Sequence, residues 1–401
     1  MKVLYATTIS NAINDFLIPH IEQLVRMGHK VDVACNIVRK INPKLQELGV
    51  RVYNFPFRRT PFHKDNFIAA QNIKKLIHTE CYDIIHTHTP VASFFIRAAC
   101  RNMPDLSVLY TAHGFHFYKG APIINQVLLY GMERLAARWT DGLITVNNED
   151  YISASKMRLR RNSAVYLIHG IGVDLSKFTL QNEEDKLKIR KEFGFSEKDF
   201  ILFFAAELNY NKHQDLLIRV VKRLKERGIN VILLLAGEGN KSEDYKRLVL
   251  ELNLEENIIF LGYRHDVPRL IRMADIAVSS SRREGLPVNV MEAMATGLPL
   301  VVTNCRGNRD LVENGKNGYV VGINDVEGFA KAVEELYKPG ELRKELGMKG
   351  YLFIQEFALE KVLCEMREIY ARYWNEADLD SSKSCCYNSD LQPEACKAQE
   401  I

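Results

Sequence analysis

The chain has 401 residues, 47% of them hydrophobic and 26% charged, with a formal net charge of +4. At roughly 150 residues per domain this is enough for two large domains, and the composition excludes disordered, collagen-like and low-complexity classes. The charge is unevenly divided. Residues 1 to 170 carry 21 Lys and Arg against 12 Asp and Glu, or +9, which leaves 33 against 38, or −5, for residues 171 to 401; this is either a chance imbalance of solvated surface or a basic face turned to an anionic partner.

Short β-branched runs alternate with helical patterns from the start. Lys2 to Ala6 reads as a strand, and Leu17, Ile18, Ile21, Leu24 and Val25 mark one face of a helix that Gly28 closes. Lys30 to Cys35 is the next strand, and others are predicted at Val50 to Asn54, Asp83 to His88, Ser107 to His113, Gly142 to Asn147 and Ala164 to Ile168. This is the pattern of a doubly wound α/β domain over residues 1–170. After Gly170, Gly172 and a polar segment the alternation restarts. Strands are predicted at Phe200 to Ala206, Val231 to Gly237, Ile258 to Tyr263, Ile276 to Ser279, Pro299 to Thr303 and Gly318 to Val321, giving a second Rossmann-like domain over 171–356. The halves share an architecture without a sequence repeat. Helical spacing of Leu363, Met366, Ile369, Tyr370 and Tyr373 predicts a terminal helix over 357–376 that packs back on either domain, and the polar tail 379–401 is expected to be disordered.

The longest apolar runs, such as Val231 to Ala236, fall far short of the roughly 20 residues of a membrane span. The first residues offer Thr, Ser, Asn and Asp where a signal peptide needs an unbroken apolar stretch, so a cytosolic protein is expected. The eight cysteines show neither C-x-x-C spacing nor the density of a disulfide scaffold, and reduced, mostly buried thiols are expected.

Two open α/β sheets place ligands at the carboxyl ends of their strands, so the chemistry is sought at strand-to-helix turns. The most informative segment runs from Ser280 to Gly297. Pro287 suits the first turn of a helix and Gly297 its end, which leaves Glu284 in the loop before it and Glu292 inside it. Backbone N–H groups near Gly285 and Leu286 are unpaired at such a helix start and form an anion site suited to a diphosphate, which Gly285 lets approach closely. A carboxylate on each side accepts hydrogen bonds from hydroxyls, so a nucleotide sugar fits the pattern. Lys212, where the strand ending at Ala206 turns into a helix, is placed to neutralise a phosphate. In the first half His113 follows a strand directly, beside Gly114, and faces the cleft more naturally than the core.

With Glu284 and Glu292 in E-x7-E register, Ala274-Asp275-Ile276 before them and Gly297-Leu298-Pro299 after them, the sequence resembles the retaining family-four glycosyltransferases of GT-B fold. The runs Asp83 to His88, Thr111 to Gly120 and His169 to Asp174 resemble the subgroup that builds capsules and exopolysaccharides. The resemblance covers about residues 1 to 375. It implies two Rossmann-like domains facing a central cleft, with Glu284 on hydroxyls of the donor sugar, Glu292 on the ribose and the amides of Gly285 and Leu286 on the diphosphate. It likewise implies Lys212 on the diphosphate, His113 near the anomeric centre, and the nucleotide base near the turn that holds Arg264. Where family members commonly have an Arg this chain has Glu207, so either Arg282 or Arg283 supplies the missing charge or the diphosphate is bound with one cation fewer.

The expected activity is transfer of a sugar, with retention, from a nucleotide sugar such as a UDP-sugar to a lipid-linked saccharide at the cytoplasmic face of the plasma membrane. No cofactor or divalent metal is expected, since Lys212 and the helix start take the place of the ion. His86 and His88 alternate on a strand, yet no Cys or carboxylate completes a ligand set. Lys156, Arg158, Arg160 and Arg161, near Tyr151 and Ile152, are either a solvated loop or a contact with anionic lipid. Nucleic acid is not an expected partner, and neither half carries the full G-x-G-x-x-G of a nicotinamide enzyme. Two other readings stay open: a nucleotide-sugar epimerase of the same fold, and a non-catalytic sugar-nucleotide-binding subunit of a polysaccharide assembly complex.

Overall fold

A computed structural model describes residues 1–117, 123–160, 163–338 and 340–374. Tyr118, Lys119 and Gly120 of the histidine motif, Arg161, the last two residues assigned to the terminal helix and the tail 379–401 lie outside the described residues.

All thirteen expected strands are present. The first sheet contains β1 (Lys2–Ile9), β2 (Lys30–Asn36), β3 (Arg51–Asn54), β4 (Ile84–Thr87), β5 (Ser107–Ala112), β6 (Gly142–Thr145) and β7 (Ala164–Leu167). The second contains β8 (Ile201–Ala205), β9 (Ile232–Ala236), β10 (Ile258–Gly262), β11 (Ile276–Ser279), β12 (Leu300–Thr303) and β13 (Gly318–Val321). Their orders are β3-β2-β1-β4-β5-β6-β7 and β10-β9-β8-β11-β12-β13, and every pairing is parallel. Each order reverses direction once, between β1 and β4 and between β8 and β11, and these are the points where helices leave opposite faces and open a crevice.

The inner strands are mostly apolar because both their faces are covered, whereas the edge strands β3 and β7 are only half-buried. Val3 and Tyr5 of β1 point into one core, Leu4 and Ala6 into another. In the second sheet Leu202 and Phe204 face one way, Ile201 and Phe203 the other. β1 runs past its expected end, to Ile9, because Thr8 continues the extended backbone and bonds Thr89 Oγ1 through its N–H at 2.7 Å. A wide π-turn, Ile13–Leu17, then leads into the helix Ile18–Arg26.

The terminal helix, Leu359–Ala371, packs on the first sheet. Val362, Met366, Ile369 and Tyr370, at the i, i+4, i+7, i+8 spacing of one helical face, join Val3, Tyr5, Ile84 and Leu109 in a single core. The two chain crossings between halves lie side by side: Val173 N–H donates to Phe357 O at 2.9 Å and Leu359 N–H to Val173 O at 2.9 Å. A Cβ on Gly172, at φ +80°, would sit 2.6 Å from Leu359 Cα, so the crossing is too tight for any other residue.

Candidate active site

The donor side is built from the turns after β8 and β11. Lys212 lies just before the helix Gln214–Glu226, whose capping residue His213 is left-handed at φ 56°. Two hydrogen bonds from the other turn's neighbourhood fix this segment: Ser280 Oγ donates to Lys212 O at 2.7 Å and Arg282 N–H to Asn211 O at 2.8 Å. Asn211 Nδ2 in turn donates to Arg283 O at 2.9 Å. The two turns, about 70 residues apart in sequence, are thus one rigid piece. Lys212 Nζ meets Glu284 Oε1 at 2.6 Å, with both side chains largely buried.

Pro287 caps the helix Val288–Ala295 rather than occupying its first turn, and Gly297 follows its end at φ +76°. The N–H groups of Gly285 and Leu286 donate to no group among the described residues, so they remain available to an anion. Gly237 and Gly239, which read as a weak nucleotide motif, have another explanation. A Cβ on either would strike the backbone of the β8 turn, 2.0 Å from Ala206 O and 2.1 Å from Leu208 O. Their small size serves packing of two turns.

Glu292 sits one helical turn further in, over a small cavity at the β8–β11 switch point that Ala205, Ala277 and Asn289 also line. It has no charged partner among the described residues, and burial pushes its carboxyl up from 4.5 to about 8. Between those values the folded chain holds a proton that the unfolded chain releases, so stability is full below about pH 4.5 and falls as the pH rises to about 8. Glu292→Gln keeps the shape and stays neutral. We expect it to match the parent near pH 4.5 and to exceed it at pH 8 by about 2–3 kcal/mol, a figure reduced for the partial exposure of the carboxyl. Urea unfolding at both pH values checks this; an equal difference at the two would rule out a neutral Glu292.

On the acceptor side His113 follows β5 and opens to the cleft. The cleft walls desolvate its ring and, with His20, hold its pKa at about 4. Its Nε2 lies 3.2 Å from Nδ1 of buried His88. His86 is fully engaged, with Nδ1 2.6 Å from Tyr370 Oη and Nε2 2.7 Å from Thr111 Oγ1.

The two sides meet at a seam of glycines. A Cβ on Gly114 would lie 2.9 Å from Gly285 Cα, one on Gly285 2.0 Å from His113 O, and one on Gly307 2.4 Å from Gly285 O. Beside it lies Arg306, which the sequence reading missed. Its guanidinium is 2.5 Å from Asp150 Oδ1 and donates to Phe115 O at 2.9 Å and Glu284 O at 3.1 Å. Asp150 Oδ2 accepts from Phe115 N–H at 2.9 Å, so the backbone after His113 is held at both its polar groups. The signal was present, since Arg306 and Gly307 lie in the turn after β12 just as His113 and Gly114 lie in the turn after β5.

Other expected residues lie differently. Glu207 is exposed on the same turn as Lys212. Arg282 is turned away from the diphosphate site, stacked 4.5 Å from the Tyr210 ring and donating to Asn324 Oδ1 at 3.0 Å. Arg264, after β10, is held by both carboxylate oxygens of Asp266 at 2.7 and 2.6 Å. Arg160 is a structural residue, paired with Asp141 at 2.9 Å and donating to Cys100 O at 2.8 Å. Among the described residues no three His, Cys, Asp or Glu side chains group as metal ligands, and no helix is long and apolar enough to cross a membrane.

Comparison with known proteins decides the family. The family described as Glycosyltransferase Family 4 matches residues 20–174 and that described as Glycosyl transferases group 1 matches residues 185–353. The putative glycosyltransferase EpsD of Bacillus subtilis is 38% identical over 95% of this chain and 98% of its own length. The chain belongs to the family-four glycosyltransferases. This glycosyltransferase is also 29% identical, over 65% of its chain and 68% of the relative, to the UDP-Gal:alpha-D-GlcNAc-diphosphoundecaprenol alpha-1,3-galactosyltransferase of Escherichia coli. Its fold matches Anabaena HepE, solved in complex with UDP-glucose, at a TM-score of 0.75 with 18% identity over 92% of this chain and 99% of that one. WaaG, a glycosyltransferase involved in lipopolysaccharide biosynthesis, matches at 0.72 with 15% identity over 92% and 99%. The glycosyltransferase therefore has the GT-B arrangement, and its cleft is the one described above.

Proposed function

We propose that this glycosyltransferase moves a sugar from a UDP-sugar to a hydroxyl of a lipid-linked saccharide, with retention at the anomeric carbon, in capsule or exopolysaccharide assembly. The observation that carries the reading is the juxtaposition of Lys212, Glu284 and the unbonded amides of Gly285 and Leu286 with His113 across the glycine seam. A relative that uses a UDP-sugar and a lipid diphosphate-linked acceptor, and a fold neighbour that holds UDP-glucose, support the donor and acceptor classes.

In this reading the diphosphate lies on the amides of Gly285 and Leu286 and on the Lys212 ammonium, Glu284 takes hydroxyls of the donor sugar, and Glu292 faces the ribose. The turn holding Arg264 borders the base, and His113 reaches the sugar near its anomeric carbon. The bond from that carbon to the diphosphate oxygen breaks as the acceptor oxygen approaches on the same face. The acceptor's proton passes to the departing oxygen, so charge and atoms balance. Lys212 and the helix amides stabilise the developing negative charge in place, which is the largest source of rate in such sites. With Glu207 beside Lys212 and Arg282 turned to Tyr210, Arg283 is the remaining candidate for the missing charge, and otherwise the diphosphate is bound with one cation fewer than is usual in the family. A divalent ion has no assigned role.

The acceptor end of the first sheet is also where we place a membrane contact. Phe62, Phe67 and Ile68 are exposed there beside Arg59 and Lys64, with Arg58 paired to Asp65 at 3.0 Å, and basic residues near an anionic surface each add about 1 kcal/mol. Among the described residues of the stretch around Arg160 only that residue's charge is used internally; Lys156 and Arg158 are exposed, with Tyr151 and Ile152 also exposed, and remain a second candidate contact.

The test is a panel of radiolabelled nucleotide sugars offered with diphosphate-linked lipid saccharides in anionic vesicles. We expect transfer from a UDP-sugar, an α-linked product from an α-linked donor by NMR, and unchanged turnover in EDTA. Turnover of the donor without acceptor, an inverted product or loss of activity in EDTA would each overturn the corresponding part.

A further inference from the structure

We propose that His88 is a positioning residue that fixes which ring nitrogen of His113 carries the proton, so that His113 presents an Nδ1–H donor to the transferred sugar. The inference rests on the reading of His113 as a sugar-contacting residue.

His88 cannot turn. Its ring centroid lies 5.1 Å from that of Tyr5 and 4.0 Å from that of His86, and its plane is within 20° of the His113 ring, whose centroid is 5.4 Å away. Its side chain is buried, at 4% exposure. Burial and the neighbouring imidazoles lower the pKa of both His88 and His113, so two neutral rings face one another. The 3.2 Å contact between His88 Nδ1 and His113 Nε2 then holds one proton, donated by one ring and accepted by the other.

Which ring donates follows from the far side of His88. Its Nε2 is buried with no hydrogen-bond partner among the described residues. An orphaned buried N–H is rarer than an orphaned acceptor, so Nε2 is the bare nitrogen. The His88 proton is therefore on Nδ1 and is donated to His113 Nε2. A neutral His113 accepting at Nε2 must carry its own proton on Nδ1. That nitrogen has no hydrogen-bond partner among the described residues, and His113 is exposed where it borders the cleft, so Nδ1–H is available to a ligand there. Nε2–H, the commoner form of free histidine, would instead leave a lone pair facing the sugar. A donor there bonds a hydroxyl or ring oxygen of the sugar without adding positive charge beside a developing oxocarbenium.

The experiment is long-range ¹⁵N–¹H correlation NMR on the ligand-free, histidine-labelled full chain, with His113→Gln used to assign the ring. We expect His113 to show a protonated Nδ1. His88→Phe, which keeps a stacking ring, should move that proton to Nε2, and His88→Asn, whose amide can donate from near the Nδ1 position, should keep it on Nδ1. In transfer assays kcat should fall by about tenfold or more in His88→Phe with a smaller change in donor KM, and His88→Asn should recover most of it. A proton on Nε2 of His113 in the parent, or one that stays on Nδ1 in His88→Phe, overturns the proposal. The assignment of His113 to the sugar fails separately, if His113→Gln transfers at the parent rate.

Discussion

Lys212→Ala and Glu284→Ala are each expected to lower kcat/KM for sugar transfer by at least about 100-fold while leaving the fold intact. The fold should survive because both side chains border the open cleft, at 21% and 12% exposure, so water reaches whichever partner remains. The two losses should differ in origin. Without Lys212 the diphosphate loses a charge-assisted hydrogen bond worth about 1.5–3 kcal/mol, so UDP itself should bind about 10- to 100-fold more weakly. Without the Glu284 carboxylate, Lys212 is released from its 2.6 Å partner. Glu284→Gln should accordingly bind UDP at least as tightly as the parent and still fail to transfer. Calorimetric titration with UDP beside the transfer assay separates the two. Near-normal transfer in both alanine variants, or weakened UDP binding in Glu284→Gln, would sink the assignment.

The second large effect is expected at Asp150 and Arg306. Their side chains are only 1% and 3% exposed and belong to opposite halves of the molecule. Asp150→Asn leaves a buried guanidinium without its counter-charge, which costs on the order of 3–5 kcal/mol. Part of that should appear as separation of the halves, since the same guanidinium ties Phe115 O to Glu284 O. We expect a lower Tm, a larger radius of gyration in solution scattering and a collapse of transfer. Combining Asp150→Asn with Arg306→Met removes both charges and should restore much of the Tm without restoring transfer, because the guanidinium that ties the backbone after His113 to Glu284 O is gone. Recovery of both together would show that the pair serves stability alone.

Most strands were legible because they are apolar runs covered on both faces and bounded by polar turns. β1 was read too short because Thr7 and Thr8 look like turn residues, although their β-branched backbones stay extended. Lys212, Glu284 and Glu292 could be singled out because each stands at a strand-to-helix turn or in a fixed spacing. Arg306 and Asp150 could not be paired from sequence: 156 positions separate them and the contact exists only once the halves meet. From sequence His88 is one of two histidines alternating on a strand without a metal-ligand set, and its positioning role depends on a 3.2 Å contact and an unpartnered buried nitrogen that no spacing encodes. Gly237 and Gly239 were ambiguous for the converse reason, since a glycine demanded by a neighbouring backbone reads the same as one demanded by a ligand.

The helix Leu359–Ala371 completes the core of the half that begins the chain. During synthesis the ribosome makes β1 to β7 first, yet Val362, Met366, Ile369 and Tyr370 emerge only after the whole of the second sheet. At 5–20 residues per second, the roughly 190 residues between β7 and that helix take on the order of 10–40 s. For that interval Val3, Tyr5 and Leu109 lack the cover that they have in the finished molecule. A nascent chain arrested near residue 340 should therefore expose this apolar face to chaperones and proteases, and the same chain released after residue 374 should not.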